Sequence, residues 1–159
     1  MQRVVILGSS GAGKTELARR LGERTGLPVV HLDRIFWREG WQPAPRDEAE
    51  AELVDVVARD RWILDGDFRG AGDARFERAD TVLFLDTPRW LCIWRVLWRR
   101  VRDHGKERPD LPASEAFDWE NLKWIWRYPR TERSEILAIP GVHVLRSRRD
   151  VDAMVHADG

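Results

Sequence analysis

The stretch Val4-Val5-Ile6-Leu7-Gly8-Ser9-Ser10-Gly11-Ala12-Gly13-Lys14-Thr15 decides how this chain is read. An apolar, strand-like run leads into the spacing G-x-x-x-x-G-K-T, and an amphipathic helical pattern follows over about 14–25. In that context the spacing describes a phosphate cradle. Glycines let the backbone wrap closely around phosphates, and a helix N-terminus supplies free N–H groups and the positive end of its dipole. Gly8, Ser9, Ser10, Gly11, Ala12 and Gly13 are therefore expected to hold ATP, with Lys14 neutralising β- and γ-phosphate charge and the Thr15 hydroxyl placed on Mg²⁺. A chance Gly/Ser-rich turn would lack the strand before it and the helix after it. The cradle implies a nucleotide without naming a reaction.

Outward from the loop, further continuous apolar runs occur at Val29–Leu32, Trp62–Leu64, Thr81–Leu85 and Val142–Leu145. Unbroken apolar runs mark strands buried on both faces of a parallel sheet. Helical patterns at about 14–25, 46–60, 88–102 and 115–138 separate them, so the chain is expected to form a three-layer α/β P-loop NTPase fold around a five-stranded parallel sheet. With 159 residues, no internal repeat and no low-complexity linker, residues 1–159 are expected to form one domain. The charged, Gly- and Pro-containing segment 103–116 is a candidate lid, and Arg38–Arg46 a second loop.

Lys plus Arg is 27 and Asp plus Glu is 27, so no global charge attracts nucleic acid or an anionic membrane. Arginines cluster locally at 95–108 and 127–133, which suits a small anionic ligand. Cys92 is the only cysteine, which excludes an intramolecular disulfide and a cysteine-rich metal site and fits a reducing compartment. No run approaches the ~20 apolar residues of a membrane span or resembles a signal peptide, and a cytoplasmic protein is expected. Of the nine tryptophans, which fall mostly at helical spacing in the second half, most are expected to be core. The histidines at 31, 104, 143 and 156 show no ligand spacing and read as structural or surface residues.

In an open parallel sheet, ligands bind beyond the carboxyl ends of the strands. Asp33, Asp65 and Asp86 each follow an apolar run. Asp33 is a candidate general base or acceptor contact, and Asp65 a candidate Mg²⁺ residue acting through water as well as a substrate contact. Asp86 precedes Thr87-Pro88 and reads more simply as a turn residue. In Trp90–Arg102 the residues Trp90, Trp94, Leu97, Trp98 and Val101 mark an apolar stripe expected to face the core. Arg95, Arg99 and Arg102 lie along a neighbouring face, and Arg95 and Arg99 are candidates to stabilise charge on a transferring phosphoryl group.

The run from Asp86-Thr87-Pro88 to Arg95, Arg99 and Arg100 resembles the stretch leading into the lid of adenylate kinases and related nucleoside monophosphate kinases, whose pattern is D-x-P followed by R-x-x-x-R-R. Asp65-Gly66-Asp67-Phe68-Arg69 resembles their D-G-x-x-R element, by which Arg69 would grip an acceptor phosphate. His31–Trp37, Arg108-Pro109-Asp110 and Trp124–Arg130 look like the adenylate-kinase-related bacterial group called topology modulation proteins, a likeness that spans nearly the whole chain. It implies that Arg95 faces the base and phosphates, Arg99 the transferring group, and that Arg127 or Arg130 closes over the substrate from the far side of the lid. Pro129 is expected to interrupt that last helix. Where adenylate kinases carry Thr-Gly-Asp and an arginine fitting AMP, this chain has Asp33-Arg34-Ile35-Phe36-Trp37, which argues against AMP as acceptor. Phe36, Trp37 and Trp41 are either an aromatic acceptor wall or core.

The leading expectation is a kinase that moves the γ-phosphoryl of ATP, with Mg²⁺, to a small acceptor held by Asp33 and Arg69. A nucleotide-dependent regulatory or DNA-associated protein is the alternative, although zero net charge counts against DNA. An enzyme phosphorylating an antibiotic-like molecule has the aromatic residues as its only support. Fold alone does not choose among these.

Overall fold

A computed structural model describes residues 1–39, 42–67, 74–102 and 119–157. The chain runs β1 (Arg3–Gly8), α1 (Lys14–Thr25), β2 (Val29–His31), α2 (Leu32–Phe36), β3 (Trp37–Arg38), β4 (Gln42–Pro43), α3 (Arg46–Ala58), β5 (Trp62–Asp65), α4 (Ala74–Arg78), β6 (Thr81–Leu85), α5 (Arg89–Arg102), α6 (Trp119–Thr131), α7 (Arg133–Leu137), β7 (Val142–Leu145) and α8 (Arg148–Ala157). Five strands form one parallel sheet in the order β2-β5-β1-β6-β7. The chain leaves β1 toward the β2 edge, returns through β5, and crosses β1 to reach β6 and β7. The carboxyl end of β1 is thus the point where the winding reverses, the usual position of a ligand crevice.

Alternation along β1 divides the interior in two. Val5 and Leu7 join Trp62, Leu64 and Phe84 beneath α2 and α3, while Val4 and Ile6 join Ile63, Leu83 and Leu85 beneath α1, α5 and α8. Both faces are covered, which is why the strands carry unbroken apolar runs. Within α1, Leu17, Ala18 and Leu21 are fully buried, and Gly26 ends the helix in the left-handed conformation.

The five strands fall where the apolar runs predict them. Other expectations are corrected. Helix 115–138 is two helices in its described part, α6 and α7, and α6 continues through Pro129 rather than stopping at it. Ile125 and Tyr128 are buried and anchor that turn. Trp37–Arg38 and Gln42–Pro43 pair as a short antiparallel ribbon within the expected loop. Helices α2, α4 and α8 lie outside the expected helical patterns.

The larger correction concerns tryptophan. Trp62 is fully buried, but Trp90, Trp94, Trp98, Trp119 and Trp126 are all exposed. The stripe Trp90, Trp94, Leu97, Trp98, Val101 faces away from the core, and α5 buries Cys92 with Ile93 and Val96 beside it. The cause is a backbone approach. A Cβ on Gly11 would lie 2.5 Å from the Cys92 carbonyl oxygen and 3.0 Å from Val96 Cγ2, so α5 rides directly on the loop. Only small side chains fit beneath it, and the indoles turn outward. Phe36 is buried and Trp37 packs against the same cluster, which makes them core rather than an acceptor wall, and Trp41 lies outside the described residues.

Candidate active site

Gly13 sits at the N-cap of α1 with φ 106°, a left-handed backbone that L side chains rarely adopt, and no side chain caps the helix. The first N–H groups of α1 are left for an anion. The Lys14 ammonium folds back across the loop and donates to the Gly8 carbonyl at 2.7 Å and the Ser9 carbonyl at 3.2 Å. From above, the Arg95 guanidinium donates to the Gly11 and Ala12 carbonyls at 3.4 and 3.3 Å. Two cations therefore stand on either side of an uncapped helix end. Arg99 lies one turn further along α5, part-buried.

The Thr15 hydroxyl donates to Asp65 Oδ2 at 2.9 Å, and His31 Nδ1 contacts the same oxygen at 2.9 Å. Register explains the meeting, because His31 and Asp65 are paired residues at the carboxyl ends of β2 and β5. Asp65 is 5% exposed, and its Oδ1 is buried with no hydrogen-bond partner. A buried carboxylate oxygen without a donor is costly in isolation. Beside a hydroxyl and a phosphate loop, this donor set fits a hard divalent cation such as Mg²⁺, held through oxygen and water. Among the described residues there is no cluster of three His, Cys, Asp or Glu side chains able to hold a metal by themselves.

Asp33 is part-buried in the first turn of α2, two residues beyond His31. Asp67 accepts a hydrogen bond from the Tyr128 hydroxyl at 2.5 Å, tying α6 to the end of β5. Arg75 on α4 is 2% exposed and donates to the Gly66 carbonyl at 3.4 Å. Arg127 and Arg130 are exposed on α6. Arg69, Phe68, the 103–116 segment and Arg108-Pro109-Asp110 lie outside the described residues.

Asp86 is structural. Arg133 grips it through two 2.9 Å bonds and Arg146 adds one at 3.2 Å, joining the ends of β6 and β7 to α7. The Arg133 guanidinium, and secondarily Arg146, holds its carboxyl below the ordinary value against the opposing effect of burial. Burial pushes the Cys92 thiol up despite the nearby Arg95 and Lys14 charges, so it stays protonated beneath the loop.

His31, Tyr128 and Arg75 escape sequence reasoning. For His31 a signal exists, since it ends one apolar run as Asp65 ends another. Tyr128 is fixed by a contact with Asp67, 61 residues away, and Arg75 by one with the Gly66 carbonyl; neither carries a comparable signal.

This arrangement is a nucleoside-monophosphate-kinase-like P-loop fold. The isopentenyl transferase family model matches residues 1–38, the segment from β1 through the loop to α2. The chain is 30% identical over 110 residues to the uncharacterised protein YqaC of Bacillus subtilis, covering 67% of this chain and 61% of that protein. It is 27% identical over 128 residues to the adenylate kinase of Moorella thermoacetica, covering 62% of this chain and 59% of that enzyme. The chain thus spans about three-fifths of these relatives. Among solved structures, a shikimate kinase from Acinetobacter baumannii in complex with shikimate superposes with a TM-score of 0.61 at 17% identity, covering 99% of this chain and 90% of that one. At that identity the likeness concerns the fold. No helix among the described residues is long and apolar enough to cross a membrane.

Proposed function

We propose that this protein is an ATP-dependent phosphotransferase that moves the γ-phosphoryl group of ATP to a small acceptor. The observation that carries the reading is the contact between the Thr15 hydroxyl and buried Asp65 directly beside the Lys14 loop, a metal-compatible pair at the phosphate end of the cradle. Gly8, Ser9, Ser10, Gly11, Ala12 and Gly13 would wrap the phosphates with backbone N–H groups, and Lys14 and Arg95 would exchange their loop carbonyls for phosphate oxygens. Mg²⁺ would be held by the Thr15 hydroxyl and through water by Asp65, and would add to the neutralisation of phosphate charge.

Asp33, beyond β2, would take the proton of a hydroxyl acceptor, or orient a phosphate acceptor, as the attacking oxygen bonds to the γ-phosphorus and the bond to the departing ADP oxygen breaks. Arg99 would face the transferring group, and Arg69, Arg127 and Arg130 would hold or close over the acceptor. The kinship of fold with a shikimate kinase keeps small hydroxylated metabolites among the acceptors, and the adenylate kinase relative keeps nucleoside monophosphates there.

The test is a phosphoryl-transfer screen with ATP and Mg²⁺ against nucleoside monophosphates, nucleosides and small hydroxylated metabolites. We expect ADP formation that requires one acceptor class and falls about 100-fold or more in Lys14→Ala and in Asp33→Ala. ATP turnover that needs no acceptor, or that rises only with DNA, would replace this reading with a nucleotide-dependent regulatory protein.

A further inference from the structure

Helix α5 presents an apolar seam that nothing among the described residues covers. Trp90 is 66% exposed, Trp94 57%, Leu97 41%, Trp98 54% and Val101 74%. Residues 90, 94, 97 and 101 follow the 4-3-4 spacing by which one helix packs along another. Trp94 and Trp98 are already stacked, with ring centroids 6.0 Å apart and planes within 3°. Rings held in place before contact lose little freedom when an interface forms.

We propose that this face is a homodimer interface in which α5 pairs antiparallel with α5 of a second copy. Composition is the first argument. The seam consists of three tryptophans, one leucine and one valine, with no Lys, Glu, Asp, Ser or Ala, the types depleted at protein interfaces, and Trp is foremost among the types that carry interface energy. Area is the second. Large aromatic side chains bring about 150–250 Å² each, so the five residues offer roughly 600 Å², near the ~800 Å² each partner contributes to a standard stable interface.

Self-complementarity is the third argument. A two-fold axis between positions 95 and 96 sets Trp90 opposite the partner subunit's Val101 and Trp94 opposite the partner subunit's Leu97, large against small at each layer. The same helix touches the loop through Arg95 and Cys92 on its other side, so the dimer would brace the nucleotide site without contributing a residue to it.

Sedimentation velocity of the full chain from about 1 to 100 μM tests the proposal. We expect a species of twice the 18.6 kDa chain mass, and a dissociation constant raised at least about 30-fold in Trp94→Glu and, separately, in Leu97→Glu. Both positions are exposed, so far-UV circular dichroism and the thermal midpoint should match the wild type, which separates lost pairing from lost folding. A wild-type chain that remains monomeric at about 100 μM, or a dimer that survives both substitutions, overturns it.

Discussion

Gly11 links the loop to the helix above it. A methyl group there meets backbone, not a flexible side chain, at 2.5 Å, and φ is +79°. Overpacking costs about 1–3 kcal/mol and a left-handed L-residue about 1–2 kcal/mol. Gly11→Ala should therefore destabilise the protein by roughly 2–5 kcal/mol, read as a lower urea midpoint, and shift α5 off the loop. An unchanged midpoint would show that α5 is not seated on Gly11. Asp65 carries the corresponding argument for chemistry. Asp65→Asn preserves shape but removes the charge that Thr15 and His31 address, and we expect a 10–100-fold loss in transfer rate with a raised Mg²⁺ requirement. A variant with wild-type Mg²⁺ dependence would assign Asp65 to structure alone. Lys14, Thr15 and Asp65 are legible as residues because motif spacing and strand-end position mark them. His31 is not, because its partner is 34 residues away and the pairing depends on strand register.

At the scale of elements, unbroken apolar runs identify all five strands of the sheet because both faces are covered by helices. The amphipathic pattern of α5 is equally visible but gives the wrong orientation. Periodicity states that a helix has an apolar face and not what that face meets, and here proximity to Gly11 reserves the inner side for Cys92 and Val96. Asp86 works between elements, joining α7 and the end of β7 to β6. Its partners are partly solvated, so Asp86→Asn should cost only about 1 kcal/mol near neutral pH. The sign of the pH effect follows from the lowered carboxyl. Its stabilisation is complete above the ordinary value of 3.8 and lost as pH falls through the lower folded value. Urea midpoints of wild type and variant should thus converge as pH drops below 3.8, and a gap that persists in acid would contradict the ion-pair account.

For the whole molecule, the strand order β2-β5-β1-β6-β7 brings residues distant in sequence to one edge of the sheet. Thr15, His31 and Asp65 converge because β2 and β5 end in register beside the loop that follows β1. The layered α/β class is legible from alternating patterns. The convergence of Tyr128 on Asp67 is not, because it depends on how a helix 61 residues further along the chain folds back over the sheet. The central claim is that this convergence builds a nucleotide phosphate site, and equilibrium ATP binding in the presence of Mg²⁺ tests it most directly. Wild-type protein should bind ATP, and Lys14→Ala, which removes a charge-assisted contact worth about 1.5–3 kcal/mol, should bind it roughly 10–100-fold more weakly with its fold intact. Equal affinity in the two proteins, or no binding by either, would contradict the account.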